Sequence, residues 1–158
     1  MGVTSMVIRL FAAASVVAVT LGAASVAYAP YHQQAGQPAG AALDRARAQL
    51  ATARTHAGFA AEAGTLPGIR QHTGHAVNCL VGSGDRRFNR QWGHVCEGQG
   101  NGALQDLQAA GASAQVVKMA QDATQVGVET LGQGNLTAAA AGAKKLAGML
   151  EDVLKTVK

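Results

Sequence analysis

The apolar positions of the chain follow a helical period over most of its length. From Ala41, apolar residues recur at steps of three and four with polar residues between them, which predicts a helix with one buried face. The segment Gly64–Gly68 ends this helix, because glycine favours a C-terminal cap. Thr65 can cap the next helix, and Pro67 is tolerated in its first turn. The apolar face of the first helix comprises Leu43, Ala46, Leu50, Ala53, Ala57 and Ala60.

A second helix is predicted from about 66 to 81. The glycine-rich stretch Gly82–Gly102 that follows has no periodic apolar face, and a loop of this length in a compact domain is usually functional or fastened to its surroundings. A third helical segment covers Ala103–Leu131, in which Gly111 and Gly127 weaken the helix and make a kink or a break possible.

The last helix has the clearest amphipathic stripe. Asn135 is a good N-cap, and apolar residues then step by three and four to the C-terminus. Four such helices with short connections, apart from one long glycine-rich loop between helices 2 and 3, predict an all-α fold: an antiparallel four-helix bundle. The apolar positions of the last helix are Leu136, Ala139, Ala143, Leu146, Leu150, Val153 and Val157.

The N-terminal residues 1–29 are typical of a secretory signal peptide. A single cationic residue, Arg9, precedes an apolar run that ends in small residues. Cleavage is expected after Ala27 or Ala29, whose preceding residues suit a signal peptidase. An uncleaved membrane anchor is the alternative, but the run consists mostly of Ala, Gly, Ser and Thr, which insert weakly into a bilayer.

Cleavage would leave two regions in the mature protein. Residues 30–40 are rich in Gly, Pro and Gln and predict a flexible leader, and residues 41–158 form the helical bundle domain. We therefore expect a periplasmic or secreted protein that has no contact with a membrane once the signal peptide is removed.

Composition and charge exclude several function classes. Charged residues make up 14% of the chain, against roughly 25% in an average soluble domain. The formal net charge of +4 is too small to indicate a nucleic-acid partner. No paired carboxylates, nucleophile–base arrangement, phosphate-binding loop or C-x-x-C-H haem attachment motif is present. An enzyme is therefore less favoured than a binding protein, and a small redox enzyme is the least favoured possibility.

Three histidines are expected to converge on the first helical hairpin. At 100° per residue, His72, His75 and Cys79 lie within an arc of about 60° on the second helix. His56 and His75 are almost equally far from the turn near Leu66, so an antiparallel hairpin brings them level. Imidazole is a good ligand for copper, zinc and haem iron. The pattern predicts a site for a transition metal (copper or zinc) or for non-covalent haem at His56, His72 and His75.

The two cysteines suggest how the long loop is held. The only cysteines of the chain are Cys79 and Cys96. In an exported protein, a disulfide between them is favoured. This bond would bring His94 close to the second helix as a possible fourth metal ligand. The alternative is that one or both thiolates bind a soft metal ion.

The same loop interleaves arginines with aromatic residues. Arg86, Arg87, Arg90 and Trp92 are candidates for contacts with an anionic partner such as an envelope protein. A solvated loop anchored by Phe88 and Trp92 is the alternative. If no cofactor is bound, this loop favours a second function, that of a periplasmic interaction or structural module.

The segment His72-Thr73-Gly74-His75-Ala76-Val77-Asn78-Cys79-Leu80-Val81-Gly82 resembles one found in uncharacterised exported bacterial helical proteins. Those proteins have an H-x-x-H-x-x-N helix followed by a Gly/Asn-rich loop and further helices. The chain also loosely resembles small His-rich periplasmic metal-binding four-helix proteins, although it has far fewer histidines. The resemblance covers about 41–107 and implies metal or haem binding at His56, His72 and His75.

Overall fold

The computed structural model describes residues 38–157, and all regular structure among them is helical. This confirms the all-α prediction. The predicted signal peptide with its cleavage sites, and the leader up to residue 37, lie outside the described residues. No helix of the described part is long and apolar enough to cross a membrane. The described elements are α1 (Ala39–Glu62), α2 (Leu66–Val81), a 3-10 turn (Arg90–Trp92), α3 (Ala103–Ala109), α4 (Ala114–Leu131) and α5 (Leu136–Thr156).

The helix starts follow the capping residues that the sequence provides. The hydroxyl of Thr65 accepts a hydrogen bond from the backbone N–H of Gly68 at 3.2 Å, and α2 spans the residues predicted for it. The side chain of Asn135 accepts from the N–H of Ala138 at 2.8 Å and starts α5. Each cap satisfies a backbone donor that has no partner within the helix. Helix α1 starts at Ala39, so the last two residues assigned to the leader are helical.

The third helical segment predicted over 103–131 is divided into two helices, and the break lies at the first of the two glycines named for it. The chain leaves the helical path at Gly111, whose φ of +70° suits glycine, and Ser113 then caps α4. The described residues therefore contain five α-helices rather than the four expected. Gly127, the other suspected break, stays inside α4.

The four long helices bury their apolar faces against one another. Helix α1 packs on α2 and α5, and α4 packs on the same two helices, while the short α3 contacts α1, α2 and α4. The predicted stripes of α1 and α5 are buried, except that Leu43 is half-buried and Leu136 is 44% exposed. Leu136 is the first residue of its helix.

A buried polar network joins α1, α3 and the end of the long connection. Asp106 is fully buried, and its Oδ2 accepts from Gln49 Nε2 at 2.6 Å and from the backbone N–H of Asn101 at 3.0 Å. Arg45 Nε pairs with the other carboxylate oxygen at 3.2 Å, while Gln49 Oε1 accepts from the N–H of Gly102 at 2.7 Å. A buried carboxylate is tolerated only with such partners, so this network fixes where the connection rejoins the helices.

Candidate metal centre

Three histidines from the α1–α2 hairpin meet at one point. His56 lies on α1, and His72 and His75 lie three residues apart on α2. One ring nitrogen from each residue can be chosen so that all three lie within 4.8 Å of one another. The convergence expected from their distances to the turn is confirmed, and the group is positioned to bind a metal ion. We refer to these three residues as the histidine group.

The spacing within the histidine group suits a single ion. The Nδ1 atoms of His56 and His75 are 3.1 Å apart, and their rings meet edge to face with centroids at 4.7 Å. Two ligand nitrogens on a tetrahedral ion with bonds of about 2.0–2.1 Å are separated by about 3.3 Å. The His72 ring lies farther out, with centroids 5.7 Å from His56 and 5.8 Å from His75. Two nitrogens are thus almost at ligand spacing, and the nitrogen of His72 must approach both for all three to bind one ion.

A short hydrogen-bonded chain orients the ring of His75. The side-chain amide nitrogen of Gln71 lies 2.8 Å from Nε2 of His75 and donates to the backbone carbonyl of Trp92 at 3.2 Å. Which nitrogen of His75 carries the proton depends on the tautomer: when the Gln71 amide oxygen faces Nε2, that nitrogen is protonated and Nδ1 is free to bind a metal ion. Outer partners of this kind fix the tautomer and the direction of a metal-binding imidazole.

Burial and mutual repulsion favour the neutral form of His56 and His75. Partial burial lowers the pKa of His56 below 6.5, and the neighbouring charges of His75 and His72, were they protonated, lower it further. The pKa of His75 is also lowered, mainly by burial and then by His72, while the carbonyl of Trp92 opposes the shift. A neutral imidazole is the form that binds metals. His72 gives a further indication of metal binding, because its Nδ1 is buried without a hydrogen-bond partner.

The long connection is fastened to α2 beside the histidine group. The buried side chain of Asn78 donates to the carbonyls of Asn89 and Gly93, at 2.8 and 2.7 Å, and accepts from the N–H of Asn89 at 3.0 Å. The indole of Trp92 lies so close to Gly74 that a Cβ there would overlap the ring. The 3-10 turn therefore forms one wall of the site, next to His75.

The predicted disulfide is present between Cys79 and Cys96, with Cα atoms 5.4 Å apart. It joins the last turns of α2 to the far end of the segment that Asn78 anchors. Because the bond uses both sulfur atoms, neither cysteine is a thiolate ligand in this structure.

His94 lies outside the histidine group. Its ring packs edge to face on Phe88, with centroids 4.9 Å apart, and the metal-binding group formed by the described residues does not include it. The disulfide therefore anchors the loop without bringing this imidazole to the other three.

The arginine and aromatic residues of the loop have mixed roles. Arg87 is bound to Asp85 through both carboxylate oxygens, at 2.9 Å from Nε and 2.7 Å from Nη2, and this contact lowers the pKa of Asp85. Trp92 is half-buried against α2, whereas Arg86 and Arg90 are exposed. Two of the four candidate partner-binding residues thus have structural contacts within the loop or with α2.

Two residues at the site were not predicted from the sequence. Gln71 lies one turn before His75 on the same helical face, and Phe59 lies one turn after His56. The Phe59 ring packs against both His56 and His72, with centroids at 5.6 and 5.5 Å, yet it is 48% exposed. The spacing of three or four residues from a suspected ligand is the signal that would have found both.

Comparison with known proteins gives no match: no protein-family model, no curated protein and no solved structure is significantly similar to the chain. The resemblance noted for the segment around His72 and His75 therefore stays a prediction.

Proposed function

We propose that this protein is an exported helical protein that binds one copper or zinc ion through His56, His72 and His75. The observation that carries the proposal is the convergence of three ring nitrogens within 4.8 Å. The lowered pKa values of His56 and His75 add support, because a lowered pKa favours the neutral imidazole, the form that binds metals.

The geometry favours a single ion over haem. A haem bound by two histidines lies between their rings, one on each face of the porphyrin. Here the rings of His56 and His75 are in edge contact, with their Nδ1 atoms 3.1 Å apart. A flat macrocycle cannot be placed between them without separating α1 from α2.

The ligand atoms that the site offers indicate which metal ions it can bind. Three imidazoles suit copper(II) and zinc(II), and both cysteines are used in the disulfide, so soft thiolate ligands are not offered. Copper(II) is expected to bind more tightly than zinc(II), as it does at most nitrogen sites.

Export is the second part of the proposal. It is supported by the signal-like residues 1–29 and by the disulfide, which forms and persists in oxidising compartments such as the periplasm. Fractionation of an expressing bacterium, with the intact mass of the product, tests it. The expected mature chain begins at residue 28 or 30.

Calorimetric titration of the metal-stripped protein tests metal binding. One copper(II) or zinc(II) ion per chain is expected to bind, and His75→Ala should weaken binding by about 100-fold or more, since even the loss of a residue that hydrogen-bonds a ligand costs about 10- to 100-fold. The matched control is His94→Ala, which removes an imidazole outside the histidine group and should leave the affinity unchanged.

Equal effects of the two variants would contradict the assignment of ligands. If neither metal produces heat of binding in calorimetry or changes the unfolding temperature, the proposal itself is contradicted. The exposed Arg86 and Arg90 would then favour the alternative function, a cofactor-free interaction module.

A further inference from the structure

The histidine group offers three protein ligands. Within the described residues, it contains three imidazoles and neither a carboxylate nor a thiolate. Cys79 and Cys96 are bonded to each other, and the His94 ring is in contact with Phe88. Structural zinc sites close their coordination with four protein ligands, whereas sites with three keep a position for water or substrate.

One side of the histidine group is open to solvent. All three histidines are half-buried, and the aromatic ring that borders His56 and His72 belongs to the exposed Phe59. Gly93, directly after the 3-10 turn, lies beside His75, where a Cβ would be in van der Waals contact with Nε2 at 3.7 Å. Because the three histidines are only partly buried, a ligand from solvent has access to the histidine group.

The charge of the site selects the class of ligand. Three neutral imidazoles leave the two positive charges of a divalent ion uncompensated, and the group itself holds no carboxylate. An ion in such a site attracts small anions and favours ionisation of bound water.

We infer that the bound metal keeps a fourth, exchangeable coordination position that takes water or a small monodentate anion. The inference rests on the proposed metal site, and it separates an open centre, able to bind or activate a small ligand, from a closed structural one.

Cobalt(II) substitution with azide as the probe tests the inference. The visible bands of cobalt(II) report its coordination, so azide is expected to change the spectrum of the loaded protein in a saturable way. The same response is expected in His94→Ala, because the His94 ring is in contact with Phe88, and, if the position is left to solvent, in His32→Ala.

The outcomes separate this inference from the proposed function. A cobalt(II) spectrum that is insensitive to azide in the wild type overturns the open position. If azide sensitivity then appears in one of the two alanine variants, that histidine is the fourth ligand. Absence of protein-bound cobalt(II) bands, together with no copper(II) or zinc(II) in calorimetry, would instead contradict the metal site.

Discussion

At the scale of single residues, the site depends on imidazoles that stay neutral and on one amide that orients them. The pKa of His56 and that of His75 are both lowered from 6.5 by partial burial and by their neighbours. Gln71 contacts His75 at 2.8 Å on the side of the ring away from His56. Each feature gives a separate prediction.

The metal-free protein should lose stability as the pH falls below about 6.5. In that range the unfolded chain binds protons at positions 56 and 75 that the folded protein, with its lowered pKa values, does not yet bind. The free energy of unfolding therefore rises with pH through this window and is unaffected by these groups above it. Urea unfolding at a series of pH values measures the effect.

The double variant His56→Gln/His75→Gln is the control for this pH dependence. It lacks both titrating rings, so its stability should fall less between neutral pH and about pH 5. An identical dependence of stability on pH in the two proteins would show that folding does not lower the pKa values of His56 and His75.

Two substitutions of Gln71, one apolar and one acidic, should have different effects on metal affinity. If Nδ1 of His75 binds the ion, Nε2 must carry the proton, and the amide of Gln71 must then turn its oxygen to accept it. Gln71→Leu removes the partner and should weaken zinc binding by about 10-fold, whereas Gln71→Glu supplies an acceptor and should restore or strengthen binding. Calorimetry measures both, and equal weakening in the two variants would contradict an orienting role.

At the scale of the helices, close approach depends on small residues at the contacts. Gly127 of α4 faces α2, and a Cβ there would lie 2.7 Å from Cγ2 of Val77. Gly74 provides the surface on which Trp92 rests. These glycines cost helix stability locally but allow elements to approach closely.

Two glycine-to-alanine substitutions are expected to act in opposite directions. Gly127→Ala gains about 1 kcal/mol of helix propensity but overpacks against Val77, at a cost of typically 1–3 kcal/mol, so it should destabilise the protein. Gly148→Ala in α5 meets nothing within 4 Å and should stabilise the protein by about 0.5–1 kcal/mol. Urea unfolding measures both, and stabilisation by both variants would show that α4 does not pack closely on α2.

At the scale of the whole molecule, a disulfide and buried polar contacts supplement an alanine-rich core. The buried face of α1 is largely alanine, which removes little apolar surface per residue from water. The disulfide, the Asn78 contacts and the Asp106 network fix the connection 82–102 to the helices at separate points. The ligands of the proposed metal centre all lie on α1 and α2.

Loss of the disulfide should therefore lower stability without removing the metal site. Cys79→Ala/Cys96→Ala opens a cross-link between residues 17 apart in sequence and should cost about 3 kcal/mol of unfolding free energy. One metal ion per chain should still bind, because no ligand lies on the freed segment. Chemical denaturation and calorimetry test both, and loss of metal binding by a folded variant would place a ligand on the loop. A reductant should destabilise the wild type and leave the double variant unaffected.

Local sequence determined much of the molecule. The three-to-four period marked the buried faces of α1 and α5, Thr65 and Asn135 marked two helix starts, and the short turn between α1 and α2 sufficed to align His56 with His75. These features depend on backbone hydrogen bonding and on residues near in sequence, so the sequence alone carries them. The break after α3 was foreseen only as a possibility, because glycine is tolerated within helices and packing decides whether the chain turns.

Only the tertiary structure decided how the connection 82–102 lies against α2. It placed Trp92 on Gly74, used Asn78 to hold that segment, and turned His94 towards Phe88 instead of the other histidines. The sequence could not show this, because an irregular segment has no period and its path depends on contacts between residues far apart in the chain. For the same reason, distances within the histidine group depend on how closely α1 and α2 pack, which no single segment determines.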